Sequence, residues 1–309
     1  MRAAYPDRSM QQLLVDELTG DRVILAPARA LRPDTFRVHA DPLPPSVATC
    51  PFCRGNEHET PPEVARIGPG EPDTPGWTLR VVPNKYPIVG DGVPGAHEVV
   101  IFSPAHDADL GALSETVAAD VLLALRDRAR FHLAHGLRYA QGFVNQGKPA
   151  GASIEHPHAQ LVALDTVPPR AQTRLNRFSA DAFARDQQHR ISDAAAPVVV
   201  WCPPASPTPF TVRLALADGG ARFDEATDAD TTAVAHALRA ALRSLRGALG
   251  EVPYNVMVES APRGHGDPFR WWIDVVPRVG VAAGFEIATG LSVNIVPPAD
   301  AAAALQGAQ

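Results

Sequence analysis

The stretch Asn145–Leu164, with the sequence NQGKPAGASIEHPHAQLVAL, determines how the surrounding chain is interpreted. Glycine and proline in its first part break any regular element, whereas the residues after Glu155 alternate with the period of a β-strand. We therefore predict a flexible loop that leads into a strand. On that strand His156, His158 and Gln160 point to one face.

The opposite face of this histidine strand is suited to a core and carries Pro157, Ala159, Leu161 and Ala163. Because Pro157 has no backbone N–H, the strand is expected to lie at a sheet edge or to begin there, which would leave the histidine face open to a ligand. An isolated histidine is more often structural than functional, since its ring suits many environments. Whether His156 and His158 are structural or functional therefore has to be judged from the neighbouring residues.

Composition limits the classes of function. A chain of 309 residues, 45% of them hydrophobic, predicts one large or two ordinary domains with substantial cores. The net charge of −6 and the scattered basic residues argue against nucleic-acid binding. With neither a signal peptide nor an apolar run of membrane-spanning length, we expect a cytoplasmic protein without membrane contact. Three cysteines are too few for a disulfide framework.

The pair Cys50 and Cys53 lies in a CPFCRG turn that suits a zinc ion. A redox pair would be expected to begin a helix after a strand, and Pro51 argues against that. Two thiolates supply half of a tetrahedral site, and His106 and His156 are the best candidates for the other half. Four protein ligands leave no open position, so we predict one structural zinc that holds the N-terminal loop beneath the histidine strand.

Further polar residues sit where a phosphate could bind. Arg29 and Arg32 follow a predicted hairpin at Leu18–Ala26, and they are either solvated or form a clamp on phosphate or carboxylate. The loop from Gly147 to Ser153 could surround phosphates with backbone donors and a hydroxyl. These groups are the kind that phosphoryl chemistry needs for positioning and charge stabilisation.

Within this setting His158 is the predicted nucleophile. A neutral imidazole attacks phosphorus readily and forms a labile phosphoramidate, which divides one hard displacement into two easier ones. His156 is assigned to the metal, and Gln160 is placed to hydrogen-bond a phosphoryl oxygen as charge develops there.

The order of elements in the first half recurs in the second. We predict strand, strand, helix, strand, loop and histidine strand, and then the same series again. In the matching register, Arg270, Trp272 and Asp274 replace the two histidines and the glutamine. We therefore predict an α+β protein of two halves with antiparallel sheets and packed helices, divided into 1–168 and 169–309. The first half would perform the chemistry and the second would mainly shape the pocket.

Two irregular regions complete the prediction. Residues 168–209 are rich in proline, alanine and polar residues, which indicates either a linker or an excursion between the halves, with one short strand at Val198–Trp201. Near the C-terminus, glycines precede a strand, and Glu286 is either an ordinary exposed carboxylate or an acceptor for sugar hydroxyls. The residues after Pro298 are expected to form a frayed tail.

Taken together, the motifs resemble the galactose-1-phosphate uridylyltransferase family of the histidine-triad superfamily, over nearly the whole chain. The matching motifs are CPFC at 50–53, SPAH at 103–106, NxG at 145–147, GAS at 151–153, HPHAQ at 156–160, GFE at 284–286 and VNIVPP at 293–298. The resemblance implies two tandem histidine-triad-like halves. It also implies zinc ligands at Cys50, Cys53, His106 and His156, a nucleophile at His158 and an orienting glutamine at Gln160.

The resemblance further implies particular substrate contacts and a ping-pong reaction. Nucleotide- or phosphate-binding positions of the family match Arg29, Arg32, Asn84, Asn145 and Ser153, and its sugar-hydroxyl acceptor matches Glu286. UDP-hexose would transfer UMP to His158 and release hexose 1-phosphate, and a second hexose 1-phosphate would remove the UMP. The relatives pair across an extended sheet, which favours a homodimer, although two tandem halves could suffice.

Three departures leave alternatives open. The second half lacks the histidines of a second metal site that well-known bacterial members carry, so we predict that this site is absent. Lys85 replaces a common acidic residue and Phe285 replaces a tyrosine, which puts the base and the sugar in question. The stretch GASIEHPHAQLVALDTVPP also resembles ADP-glucose phosphorylases, which transfer an adenylyl group to orthophosphate. A nucleotide-binding protein without turnover is the third alternative.

Overall fold

The segments in which apolar and polar residues alternate form strands of two β-sheets. The structure is a computed structural model that describes residues 11–31, 49–90, 92–193 and 195–308. Its strands are β1 (Gln12–Val15), β2 (Arg22–Leu25), β3 (Ala65–Ile67), β4 (Leu79–Pro83), β5 (Gly95–Ile101), β6 (Tyr139–Gln146), β7 (His158–Leu164), β8 (Val198–Trp201), β9 (Val212–Leu216), β10 (Tyr254–Glu259), β11 (Trp272–Pro277) and β12 (Ser292–Asn294). Its α-helices are α1 (Glu115–Ala134), α2 (Pro169–Arg177), α3 (Ala180–Asp186), α4 (Asp228–Leu249), α5 (Gly284–Thr289) and α6 (Pro298–Gln306).

The larger sheet shows the internal repeat directly. In the described residues it has the order β3-β4-β5-β7-β6-β10-β11-β9-β8, with every neighbouring pair antiparallel. Outward from the centre, β6, β7, β5 and β4 match β10, β11, β9 and β8. The halves meet where β6 pairs with β10, with Asn145 opposite Asn255. The predicted α+β fold of two tandem halves is confirmed, and the halves share one sheet.

One face of this sheet carries the main core. Helices α1 and α4 pack against each other and cover it. The helix α1 begins where predicted, because the Ser114 hydroxyl accepts a hydrogen bond from the Val117 backbone N–H. The predicted apolar side of the histidine strand faces these helices, since Ala159, Leu161 and Ala163 are buried in the same cluster. The histidines of that strand therefore lie on the opposite face.

The histidine strand β7 lies inside the sheet, between β5 and β6. Pro157 is expected to lie either in a strand at a sheet edge or at the beginning of a strand. The second alternative holds, because β7 begins directly after Pro157. Proline is tolerated there because it precedes the first paired residue, and its carbonyl oxygen accepts a long hydrogen bond of 3.5 Å from the Phe102 backbone N–H. A ligand must consequently approach the face of the sheet.

A smaller sheet lies apart from the main one. Its described strands have the order β1-β2-β12, and β12 joins β2 in parallel. No helix in the described part of the chain is both long and apolar enough to cross a membrane.

One of the two predictions about irregular regions was wrong, and the structure decides between the alternatives of the other. Residues 168–209 form an excursion and not a linker, because they contain the helices α2 and α3 beside the predicted strand, and Phe178 and Phe183 from this region are buried against Trp272 and its neighbours. The supposed frayed tail is the helix α6, whose residues Ala302 and Leu305 are buried against α4. Both regions are rich in alanine and polar residues, so their burial depends on partners that are distant in sequence. We propose to retain the division of the halves at residue 168, between β7 and α2.

Candidate metal and nucleotidyl-transfer site

Two thiols and two imidazoles converge below the start of β7. The ligand atoms of Cys50, Cys53, His106 and His156 all lie within 4.8 Å of one another. The Cys53 sulfur is 3.2 Å from Nδ1 of His106 and 3.5 Å from Nδ1 of His156. Sulfur and nitrogen ligands of a tetrahedral zinc ion would be about 3.6 Å apart, given the usual bond lengths. The four predicted ligands are thus brought together in a geometry that could hold a metal.

Hydrogen bonding also prepares His156 for a metal. Its Nε2 donates to the Ser103 carbonyl oxygen at 2.7 Å, which leaves the Nδ1 lone pair directed toward the cluster. Burial lowers the pKa of His156 to about 4, so the ring is neutral, as a ligand must be. Burial and the adjacent Cys50 thiol raise the pKa of Cys53 to about 11. A metal bound here would therefore displace the thiol proton.

His158, the predicted nucleophile, has one ring nitrogen engaged and the other available. Its Nδ1 donates to the carbonyl oxygen of His156 at 2.8 Å, which places the lone pair of the neutral ring on Nε2. The ring lies edge-on to Phe52, with centroids 5.2 Å apart, and the residue is only 7% exposed. Burial lowers the pKa of His158, which favours the neutral form. The strand thus presents a neutral imidazole at a largely buried position.

Gln160 lies next to His158 on the same face, and a fourth histidine, His97, contacts it. Nε2 of His97 is 2.9 Å from Oε1 of Gln160 and 3.2 Å from Nδ2 of Asn84. Asn84, a predicted nucleotide-binding residue, therefore belongs to the same polar group. Sequence reasoning missed His97, although the alternation of AHEVVIF on β5 places it on one face with Val99, directly beside β7.

The predicted phosphate loop begins beside the nucleophile. Val144 pairs with Ala159, so continuation of the register places Asn145 next to His158. The side chain of Asn255, from the second half, donates to the Asn145 side-chain oxygen and to the Ala150 carbonyl, each at 2.8 Å. This connection was not predicted, because the two asparagines are 110 residues apart.

The loop itself makes a tight turn. Gly147 and Gly151 have φ angles of 82° and 93°, which glycine adopts without strain. Ser153 is exposed, six residues after Gly147 in the connection that leads to β7. The loop thus leaves a hydroxyl available between the two strands.

Among the described residues, Arg29 and Glu286 make no hydrogen bond or ion pair with the histidine strand. Arg29 is exposed in a 3-10 turn after β2, and Glu286 lies on α5, where its carboxylate accepts a hydrogen bond from the Ala283 backbone N–H. Both lie next to the smaller sheet. Arg32 falls outside the described residues.

The equivalent face of the second half holds a buried ion network. Arg213 forms a bidentate pair with Asp274, at 2.7 and 3.1 Å, and contacts Asp186 at 2.9 Å and Asp16 at 3.6 Å. The Trp272 indole N–H donates to Asp274 at 3.1 Å. Asp274 thus occupies the place of Gln160, and Trp272 that of His158, as the repeat register predicts. These side chains are paired with one another by charge and hydrogen bonds.

The chain is similar to known proteins in sequence. The family model for the N-terminal domain of galactose-1-phosphate uridyl transferase matches residues 89–168, which include the histidine strand. An ADP-glucose phosphorylase from Arabidopsis thaliana is 32% identical over 324 residues, which cover 94% of this chain and 91% of that protein. A galactose-1-phosphate uridylyltransferase from Streptomyces lividans is 32% identical over 168 residues, or 53% of this chain and 41% of that protein.

Similarity in three dimensions extends over the whole chain. The crystal structure of an ADP-glucose phosphorylase from Arabidopsis thaliana with bound ADP-glucose has a TM-score of 0.85 to this chain, at 30% identity. The match covers 97% of this chain and 99% of that one.

Proposed function

The chain belongs to the galactose-1-phosphate uridylyltransferase family, and from this premise we propose that it is a nucleotidyltransferase that uses His158 to carry a nucleoside monophosphate. The supporting observation is the hydrogen bond from His158 Nδ1 to the His156 carbonyl, which leaves Nε2 as the nucleophile. The relatives are nucleotidyltransferases and phosphorylases, so the chemistry is common to them.

Among the members of the family, we propose a phosphorylase of the ADP-glucose type. Similarity to the Arabidopsis phosphorylase extends over 94% of the chain, whereas the match to the Streptomyces uridylyltransferase covers 53%. The second half shares the sheet and contributes Asn255 to the phosphate loop. Similarity in that half therefore supports the same substrate class.

The first step would form a bond between His158 and the nucleotide. Nε2 attacks the α-phosphorus of the nucleotide sugar, the bond from that phosphorus to the bridging oxygen breaks, and sugar 1-phosphate leaves. The ring becomes cationic in this step. The Nδ1–H bond to the His156 carbonyl then stabilises that positive charge and keeps the ring oriented.

The second step would return the histidine to its neutral form. An oxygen of orthophosphate attacks the same phosphorus, the phosphorus–nitrogen bond breaks, and a nucleoside diphosphate leaves. Gln160 hydrogen-bonds a non-bridging oxygen in both steps, and the Asn145–Ser153 loop orients the phosphates. Asn84 would bind the nucleotide.

We propose that zinc occupies the cluster of Cys50, Cys53, His106 and His156. The mixed sulfur and imidazole ligands suit zinc, and four protein ligands give it a structural role. When bound, it would tether the Cys50–Cys53 turn to the first residues of β7 and so hold His158 in place.

Uridylyl transfer between a UDP-hexose and a hexose 1-phosphate is the second candidate. The match of the family model to residues 89–168 favours it. The two candidates share the covalent intermediate and differ in the base and in the acceptor, so one set of substrates separates them.

The test measures donors and acceptors independently. Protein is incubated with ADP-glucose or UDP-glucose labelled in the α-phosphate, and acid-labile, base-stable label on the protein is quantified. We expect ADP-glucose to label the wild type and orthophosphate to release ADP. His158→Ala should abolish labelling, whereas the matched control His135→Ala, at an exposed histidine after α1, should not.

Each other result has a definite meaning. Labelling by UDP-glucose with release by hexose 1-phosphate would select the uridylyltransferase. Nucleotide binding without label would refute a covalent mechanism, and equal labelling of His158→Ala would refute the assigned nucleophile.

We also propose a homodimer. Arg29 and Glu286 lie beside the smaller sheet, so a second copy could bring them to the histidine strand. Mixing His158→Ala with Glu286→Ala protein should restore part of the activity if the site is shared. A monomer in analytical ultracentrifugation would contradict the proposal.

A further inference from the structure

We infer that His97 is a positioning residue that orients the amide of Gln160 toward the reacting phosphate. The inference rests on the proposed nucleotidyl transfer and extends it to a residue on a neighbouring strand. His97 lies on β5, is 8% exposed, and has no contact with the metal cluster among the described residues.

Hydrogen bonds from two sides determine where the proton of His97 resides. The backbone N–H of Ile88 is 3.3 Å from Nδ1 of His97 and can only donate, so Nδ1 must accept. The proton of the neutral ring is therefore on Nε2. That N–H faces Oε1 of Gln160 at 2.9 Å and donates to it.

Asn84 presents a donor and no acceptor to Nε2 of His97, so their 3.2 Å contact is not a hydrogen bond from a protonated Nε2. The Asn84 side-chain oxygen accepts a hydrogen bond from the Tyr86 backbone N–H at 2.8 Å, which fixes that amide with Nδ2 toward His97. Asn84 therefore offers His97 Nε2 no acceptor, and Gln160 Oε1 is the acceptor that this N–H has. The proton on His97 thus selects one of the two orientations of the Gln160 amide.

The selected orientation has the polarity that the reaction needs. With Oε1 held by His97, the Nε2 group of Gln160 is directed away from His97 and carries two N–H donors. A phosphoryl oxygen accepts hydrogen bonds and does not donate them, so the reversed amide would repel it. His97 would thereby lower the activation free energy of the transfer, because the Gln160 amide is already oriented before the reaction begins.

The experiment measures the single-turnover rate at which His158 is labelled, together with the dissociation constant of the nucleotide sugar. We expect His97→Leu to lower the rate roughly 10- to 100-fold with little change in binding. The variant would lose the alignment of the Gln160 donor, and that donor stabilises charge that develops only in the transition state. His97→Gln, which retains a donor, should recover most of the rate. Gln160→Ala combined with His97→Leu should be no slower than Gln160→Ala alone.

His132→Leu is the matched control, since His132 also bonds a side chain of β5, but on the helix face through Glu98. It should lower thermal stability and leave the labelling rate unchanged. An equal rate loss in His132→Leu, additive losses in the double variant, or a normal rate in His97→Leu would overturn the inference.

Nuclear magnetic resonance gives a test that does not depend on a foldable leucine variant. Long-range proton–nitrogen spectra of the wild type, assigned by comparison with His97→Gln, should show the proton on Nε2. A proton on Nδ1 would overturn the inference even if transfer occurs. Absence of label on the wild type would refute the proposed function and this inference together, whereas labelled wild type with the wrong tautomer refutes only the latter.

Discussion

Two histidines separated by one residue differ in the ring nitrogen that a carbonyl holds. His156 donates from Nε2 to Ser103 and directs Nδ1 toward the sulfurs, whereas His158 donates from Nδ1 to His156 and keeps Nε2 available. The same side chain is therefore suited to metal binding in one case and to nucleophilic attack in the other. The carbonyl that bonds His158 belongs to the metal-site residue, which couples the two roles.

Replacing Cys53 tests whether the four predicted ligands bind zinc. In Cys53→Ser we expect loss of the bound zinc and a clear fall in thermal stability, because the free energy of metal binding contributes to folding in such sites. Zinc content is measured by plasma mass spectrometry and unfolding by calorimetry. Cys202→Ser is the matched control and should retain zinc. Cys202 is also buried, but it lies in the main core, away from the four predicted ligands. Full zinc content in Cys53→Ser would refute the ligand assignment.

At the scale of elements, an ion cluster joins β5 to α1. Glu98 is buried on the helix face, where Arg128 binds both of its oxygens, at 2.8 and 2.5 Å, and His132 bonds one of them at 2.8 Å. Burial alone would raise the pKa of Glu98, but the hydrogen bonds from His132 and Arg128 outweigh it and hold the pKa below its usual value of 4.5. The adjacent residue on the other face is His97, so this cluster joins the opposite face of the same strand to α1.

The stability that Glu98 contributes should depend on pH in one direction. Because the pKa is lower in the folded state, the contribution is complete above pH 4.5 and is lost as pH falls through the folded value. Glu98→Gln should cost about 3 kcal/mol of unfolding free energy at pH 7, as expected for one partner of a buried pair. Denaturant unfolding from pH 7 to pH 3 should show the difference from wild type shrinking below pH 4.5. A difference that grows on acidification would contradict this account.

At the scale of the whole molecule, two similar halves share one sheet but not one chemistry. The first half places His158 and four residues that could hold a metal on its face, and the second fills that face with Arg213 and its carboxylates. The second half still contributes to the site, because Asn255 crosses the sheet centre to hold the phosphate loop. From this asymmetry we predict one reacting centre per chain.

The stoichiometry of metal and label tests this asymmetry. We expect one zinc ion and one nucleotidyl group per chain, because Trp272 and Asp274 offer neither the ligands nor the nucleophile of the first half. Mass spectrometry of the intact, denatured protein counts the nucleotidyl group, and elemental analysis counts the zinc. Two equivalents of either would show that a second site exists.

The sequence by itself was sufficient for the repeat, the histidine strand and the four metal-cluster residues. Each of these depends on local information: period-two alternation, cysteine spacing and the distances between motifs. Alternation placed Ala159 and Leu161 in the core and the histidines opposite, and the structure confirms both. The capping of α1 by Ser114 is equally local.

Only the tertiary structure decided which distant groups meet. The hydrogen bond between His97 and Gln160 joins residues 63 positions apart, and the one between Asn255 and Ala150 spans still more of the chain. The burial of α6 has no local signal in the sequence. Sequence patterns report the local preferences of the backbone and the sidedness of an element, whereas the pairing of elements depends on the free energy of the whole packed chain. For that reason the sequence could predict a nucleophile at His158, whereas only the fold showed that His97 contacts Gln160.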